Sequence, residues 1–414
     1  MPLLRCPRTL AYTGPAAITL AVITIAGCSA LPRSAVPADA VERAAVPGLP
    51  DIRAWGDEPE LAIGRWTSER LEMERARLAA GGQDTLPDAA YLALSGGGEN
   101  GAYCAGLLCG WTQAGTRPPF QVVTGVSAGA LVAPFAFAGP EYDHVLQEIF
   151  TSLHTRDIAN SRSLLSGLTG DSMYDPAPLR RLLERHVNRD FLAHVAAEYR
   201  KGRNLYIATT NLDSQRPVIW AMGRLADSNH PDAPRLFRDI LLASASIPGV
   251  FPPVMIEVES AGKTFQEMHV DGGATSQVFL YPPTFDMQAL VQQVHAQRHR
   301  TVYVVRNAGL RPQYEPVRRR TLAIAQRAVS SLIASQGVGD LYRIYLETLR
   351  DGMDFRLATI PASADRPTQE MFDPAYMSQL FELGSSAAKG GYAWSKAPPG
   401  FENWEQARPR GQTP

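Results

Sequence analysis

Val122-Val123-Thr124-Gly125-Val126-Ser127-Ala128-Gly129-Ala130 reads as a short β-strand that ends in Gly-x-Ser-x-Gly and passes at once into a helix. A residue held between strand and helix sits on a sharp elbow. Small residues two before and two after it, Gly125 and Gly129, let the chain fold back on itself. The helix that follows points its unpaired N–H groups and positive dipole end at Ser127, which suits a developing negative charge. The plainer alternative is a glycine-rich turn in which Ser127 only caps the helix.

Upstream, Tyr91 to Leu94 reads as a buried strand running into Ser95-Gly96-Gly97-Gly98-Glu99-Asn100-Gly101, with a helix expected over Ala102 to Trp111. Gly96, Gly98 and Gly101 fit the G-x-G-x-x-G spacing of a dinucleotide loop. That use needs an acidic residue at the end of the second strand to hold a ribose. Here the second strand ends in Gly125-Val126-Ser127. The alternative is an oxyanion hole, since consecutive glycines expose backbone N–H donors without side chains in the way. The second use is favoured because this loop and Ser127 follow the C-terminal ends of successive strands, where α/β sheets bind ligands.

Downstream, Ala243-Ser244-Ala245-Ser246-Ile247-Pro248-Gly249-Val250-Phe251-Pro252-Pro253 is apolar and fixed by proline, which suits a pocket wall or a structural loop. Val254–Val258 and Thr264–Val270 read as a hairpin, whose second strand ends in His269-Val270-Asp271-Gly272-Gly273. A carboxylate there can be held by the N–H groups of permissive glycines, although Asp-Gly-Gly alone also marks an ordinary turn.

The remaining elements alternate between helix and strand. Helices are expected over 61–80, 143–153, 177–186, 191–200, 235–243, much of 316–350, and 375–389; strands are expected over 204–210, 217–222, 301–306 and 354–360. The helix at 61–80 is read as an amphipathic cover with Arg65, Glu69, Arg70, Glu72, Glu74, Arg75 and Arg77 exposed. Ser161 to Tyr174 reads as a loop that could cover the site, and the chain from Lys396 as a loose tail. Residues 61–395 are taken as one domain, following a tether over 28–60.

The N-terminus has the pattern of an export signal. Arg5 and Arg8 precede an apolar run of 13 residues, Pro15 to Gly27, in a chain of 414 residues. The run is too short to span a bilayer but suits a signal-peptide core. It stops at Ile25-Ala26-Gly27-Cys28, which resembles the lipobox of bacterial lipoproteins, where the cysteine is lipidated. A plain secretory signal with an incidental Cys28 is the alternative. Ser29 in such lipoproteins implies the outer membrane. With 40 basic and 41 acidic residues, the chain lacks the basic excess that nucleic-acid binding requires. Cys104 and Cys109 point roughly 140° apart on one expected helix, so they read as small buried residues and not a disulfide. No Cys or His spacing resembles a metal site, and no cofactor is expected.

Taken together, Gly-Gly-Gly-x-x-Gly at 96–101, Gly-x-Ser-x-Gly at 125–129, the block at 243–253 and Asp-Gly-Gly at 271–273 resemble the patatin-like phospholipases. The resemblance covers about residues 90–310. It implies a three-layer α/β/α fold with a mostly parallel central sheet. It also implies a Ser127–Asp271 dyad, with Ser127 as nucleophile, Asp271 as base and Gly96, Gly97 and Gly98 forming the oxyanion hole. One position departs from the family: Asn100 stands where Arg or Lys is frequent before the last glycine. A Ser-His-Asp triad would need His295 or His299, both in a polar run, or His269, on the same strand face as Asp271.

The resulting expectation is a membrane-anchored lipid acyl hydrolase of phospholipase A or lysophospholipase type, working on membrane lipid without metal. The anchor would be lipidated Cys28, with the enzyme facing the periplasm. The alternatives are a non-catalytic lipid-binding envelope protein and a triad esterase or thioesterase.

Overall fold

A computed structural model describes residues 32–401, apart from 59–60, 84, 153–154, 159, 162–171, 312–313, 315 and 365–371. The signal run, Cys28 and most of the expected covering loop at 161–174 lie outside the described residues.

The strands in chain order are β1 (Arg53–Trp55), β2 (Ala89–Leu94), β3 (Phe120–Gly125), β4 (Asn160–Ser161), β5 (Tyr174–Asp175), β6 (Asn204–Asn211), β7 (Arg216–Ala221), β8 (Val254–Ser260), β9 (Lys263–Asp271), β10 (Arg300–Arg306) and β11 (Asp354–Thr359). Strands β4 and β5 form a separate antiparallel pair, and the others make one sheet of nine strands. Across it, β6-β3-β2-β10-β11 are parallel. Strands β1 and β7 extend it antiparallel beyond β6, and the β8–β9 hairpin attaches antiparallel to the end of β6.

Successive residues of the central strands enter two different cores. Leu92, Leu94, Val123, Leu205 and Ile207 pack on one face. Their neighbours Tyr91, Ala93, Val122, Tyr206 and Ala208 pack on the other. A strand buried on both sides needs apolar residues at every position, which explains why these segments read as continuous hydrophobic runs. The helices that frame the site are α1 (Leu61–Ala80), α2 (Gly101–Gln113), α3 (Ala128–Ala138), α4 (Ala233–Ser244), α5 (Thr321–Arg350) and α6 (Pro374–Lys389). Helices α2, α3, α4 and α6 cover the first face. Helix α1, residues 278–296 and the second half of α5 cover the other. The three-layer α/β/α architecture with a parallel centre is therefore present.

Three expectations need correction. The expected tether is part of the fold as far as it is described: Ile52 and Val46 are buried, β1 pairs with β7, and Ala45 bridges to Glu259. Its Ala/Pro composition gave no periodicity because each short piece borrows its pairing from the sheet edge. In α1, Arg70 and Glu74 are buried and not solvated, since Arg298 reaches across from before β10 to bond both oxygens of Glu74, at 2.7 and 2.9 Å. At the C-terminus, Phe401 packs on Tyr342 and Tyr345, so the described part of the tail is docked. Cys104 and Cys109 are free and buried, as expected.

Candidate active site

The elbow after β3 is strained at Ser127. Its φ of 54° lies in the left-handed region that non-glycine residues avoid. Glycine at 129 is a steric requirement: a Cβ there would sit 2.4 Å from the Leu94 carbonyl at the end of β2. Although Ser127 occupies the N-cap position of α3, its side chain makes no capping bond. The backbone N–H of Ser127 donates to Ser244 Oγ at 3.0 Å, and that hydroxyl donates to the Ala208 carbonyl at 2.7 Å. The elbow is thus pinned to the end of α4 and to β6, leaving the Ser127 hydroxyl for another partner.

That partner is Asp271. The antiparallel pairing of β9 with the end of β6 sets Asp271 opposite Thr209 and carries its side chain to the elbow. Ser127 Oγ donates to Asp271 Oδ2 at 2.6 Å, and the Gly273 N–H donates to Oδ1 at 2.7 Å. Both side chains are buried. Burial pushes the Asp271 carboxyl up to about 6, against the smaller opposing pull of its bonds from Ser127 and Gly273.

The glycine loop departs from expectation at Gly96. The Gly96 N–H is not available as an oxyanion donor, because it donates to the Gln277 carbonyl at 3.0 Å. Gly97, at φ 155°, lies so close to Asn307 that a Cβ would meet the Asn307 carbonyl at 2.5 Å. Asn307 is itself held by Ser95, through bonds of 2.8 and 2.9 Å. The N–H groups of Gly97 and Gly98 have no acceptor among the described residues. Ala128 adds a third donor, because the first residue of a helix has no intrahelical acceptor for its N–H. Gly98, Ser127 and Ala128 open into one apolar cleft, walled by Leu131, Ile149, Phe150, Leu182, Ile247 and Phe251. The proline-fixed block at 243–253 supplies two of those residues, which settles its use as a wall. Asn100, the departure from the family, accepts a bond from Tyr376 on α6 at 3.1 Å.

Among the described residues, no histidine bonds to Ser127 or Asp271. His269 is fully buried, with Nδ1 on Thr209 at 2.9 Å and Nε2 on Glu267 at 3.1 Å. His295 and His299 are exposed and precede β10, at the opposite end of the parallel strands from Ser127. Several supporting residues were not singled out from the sequence. Ser244 stood inside a block already noted, but Asn307, Gln277 and Tyr376 belong to segments with no motif of their own. Among the described residues no group of His, Cys, Asp or Glu could hold a metal ion, and no helix is long and apolar enough to cross a membrane.

The family model of patatin-like phospholipase matches residues 92–283. This segment is a patatin-like phospholipase domain. The domain is one of lipid acyl hydrolysis. No curated protein matches the sequence. Two solved structures are similar to the chain. VipD from Legionella pneumophila has 9% identity and a TM-score of 0.33, covering 73% of this chain and 67% of its own. Human GIVD cytosolic phospholipase A2 has 10% identity and a TM-score of 0.29, covering 68% and 51%. The patatin-like segment runs from within β2 to Pro283, past the turn that follows β9. Asn307, which packs on Gly97, and Met377, which lines the cleft, come from beyond it.

Proposed function

We propose that this protein hydrolyses an acyl ester of membrane glycerolipid or lysolipid, with Ser127 as nucleophile and Asp271 as its base. The observation that carries this reading is the 2.6 Å bond from Ser127 Oγ to a buried Asp271 whose other partner is a neutral N–H. A serine hydroxyl is a weak nucleophile until a base takes its proton. A carboxylate near its ordinary value is a poor base, and one raised toward neutrality is a better one.

In the first step Ser127 Oγ attacks the ester carbonyl carbon while its proton passes to Asp271 Oδ2. The carbonyl oxygen becomes an oxyanion facing the Gly97, Gly98 and Ala128 N–H groups and the N-terminus of α3. Collapse breaks the bond to the glycerol oxygen, which leaves with the proton from Asp271, and the acyl group remains on Ser127. A water then gives its proton to Asp271 and its oxygen to the acyl carbon. The second collapse releases the fatty acid and returns the proton to Ser127. The apolar cleft suits the acyl chain, each buried methylene adding about 0.8 kcal/mol.

We further propose that lipidated Cys28 anchors the enzyme to the cell envelope, at the periplasmic face of the outer membrane. The Ile25-Ala26-Gly27-Cys28 pattern supports this. The test is twofold. Purified enzyme is incubated with phospholipid and lysophospholipid vesicles and the products are identified by mass, alongside a Ser127→Ala protein; fatty acid released equally by both would overturn the catalytic reading. Cys28→Ala is then fractionated, and membrane association with unchanged mass would overturn the anchor.

A further inference from the structure

Among the described residues, the first half of α5 contributes to neither core. From Thr321 to Ser335 no described side chain is buried, whereas Leu341, Ile344 and Tyr345 farther along the same helix are core residues. At 100° per residue, Ile324, Ala325, Ala328, Val329, Leu332 and Ile333 share one half of the helix surface, and Gln326, Ser330 and Ser331 lie on the other. The apolar half is therefore open to solvent: Leu332 is 70% exposed and Ile324 and Val329 each 54%. A contiguous exposed apolar face of this kind marks an interaction site.

Two further observations identify the partner. The helix is preceded by Arg318-Arg319-Arg320, all exposed and without an acidic partner among the described residues, and by Tyr314 at 94% exposure. Apolar side chains beside exposed arginines complement an anionic bilayer surface, where the chains enter the interface and the guanidinium groups meet phosphates. The helix also starts its buried half at the catalytic end of the sheet. Arg306, the last residue of β10, donates to the Ala334 carbonyl at 3.3 Å. Asp340 accepts the Gln277 N–H at 2.6 Å, and Gln277 bonds both Gly96 and Gly273.

We propose that Arg318, Arg319, Arg320 and the apolar half of the helix from Ile324 to Ile333 are an interfacial docking surface for an anionic phospholipid bilayer, projecting from the catalytic end of the sheet. This rests on the lipid substrate of the proposed function but not on the identity of its base. Docking brings the cleft mouth to the lipid layer, so the surface governs hydrolysis of bilayer lipid and not of soluble ester.

The experiment uses the full chain carrying Cys28→Ala, so that no lipid anchor contributes. Cosedimentation is measured with phosphatidylcholine vesicles, with and without phosphatidylglycerol, and hydrolysis is measured on the same vesicles and on a soluble short-chain ester. The parent is expected to bind the phosphatidylglycerol vesicles more tightly. Replacing Arg318, Arg319 and Arg320 together by Glu should weaken that binding on the order of 10²-fold, about fivefold or more per arginine. Ile324→Asp with Leu332→Asp should weaken binding to both vesicle types at least about tenfold. Both variants should lose vesicle hydrolysis in proportion and keep the soluble-ester rate. Unchanged vesicle binding in both variants would overturn the proposal. So would a dimer in light scattering that Leu332→Asp dissolves while vesicle binding persists. Loss of soluble-ester hydrolysis in the parent would count against the catalytic reading alone, because cosedimentation is read independently.

Discussion

Glu267 and Asp271 lie on one strand, β9, both buried, yet they hold their protons in opposite ways. Burial raises both carboxyls. At Glu267 it is outweighed by His269 and by the Arg53 guanidinium, and the group is brought down to about 2. At Asp271 the partners are a serine hydroxyl and a peptide N–H, and burial prevails, to about 6. What separates a structural carboxylate from a candidate base is thus the presence of a cation, not depth. The pairing of β1 with β7 brings Arg53 to Glu267. Among the described residues, no cation bonds Asp271.

The strongest way to break this comparison is Asp271→Asn. Its amide keeps the shape and accepts from Gly273 but cannot take the Ser127 proton, so ester hydrolysis should fall on the order of 10⁴-fold, as should that of Ser127→Ala, and the two losses should not add. The same substitution should stabilise the fold. Asp271 is raised from 3.8 to about 6, so between those values the folded protein holds a proton that the unfolded chain has released. Stability from this group is present below 3.8 and lost as pH rises through about 6. Removing the charge should therefore raise stability by about 1–3 kcal/mol at pH 8, read by urea unfolding. An active or destabilised Asp271→Asn protein would count against the contrast.

Glu267→Gln should do the reverse. Leaving Arg53 buried without its counter-charge should cost about 3–5 kcal/mol, while turnover per folded molecule stays near that of the parent. In the parent, the Glu267 contribution is present above its ordinary value of 4.5 and lost as pH falls toward about 2. Acid unfolding should accordingly begin later in Glu267→Gln relative to its own neutral stability.

Gly97→Val tests the glycine loop against the carboxylate. Contact with Asn307 should displace the loop, and loss of one oxyanion donor should lower turnover about 10²- to 10³-fold in protein that remains folded by circular dichroism. Full activity would move the oxyanion site elsewhere. The smallest effects are expected at His295→Ala and His299→Ala, with rates within about twofold of the parent. These variants distinguish a histidine base from Asp271 directly. A folded but inactive one would replace the dyad by a triad.

The sequence by itself determined the local units. Strand, glycine and helix around Ser127 are encoded within nine residues, because backbone geometry at Gly125 and Gly129 and the period of the flanking segments act over that range. The same holds for the ends of α1, matched at both residues, and for the two strands of the β8–β9 hairpin. The family motifs also named Ser127 and Asp271, which are 144 positions apart. Tertiary structure alone decided what surrounds them. Whether an N–H is free depends on which carbonyl the fold brings near, so Gly96 is spent on Gln277 while Gly97, Gly98 and Ala128 are not. Whether a charge is solvated depends on partners from distant elements, so Arg70 and Glu74 are buried on a helix that reads as a surface cover. Proton affinity has the same origin: Glu267 and Asp271 differ because one edge strand delivers Arg53 to the first and nothing cationic to the second, a matter of topology that no short stretch of sequence contains.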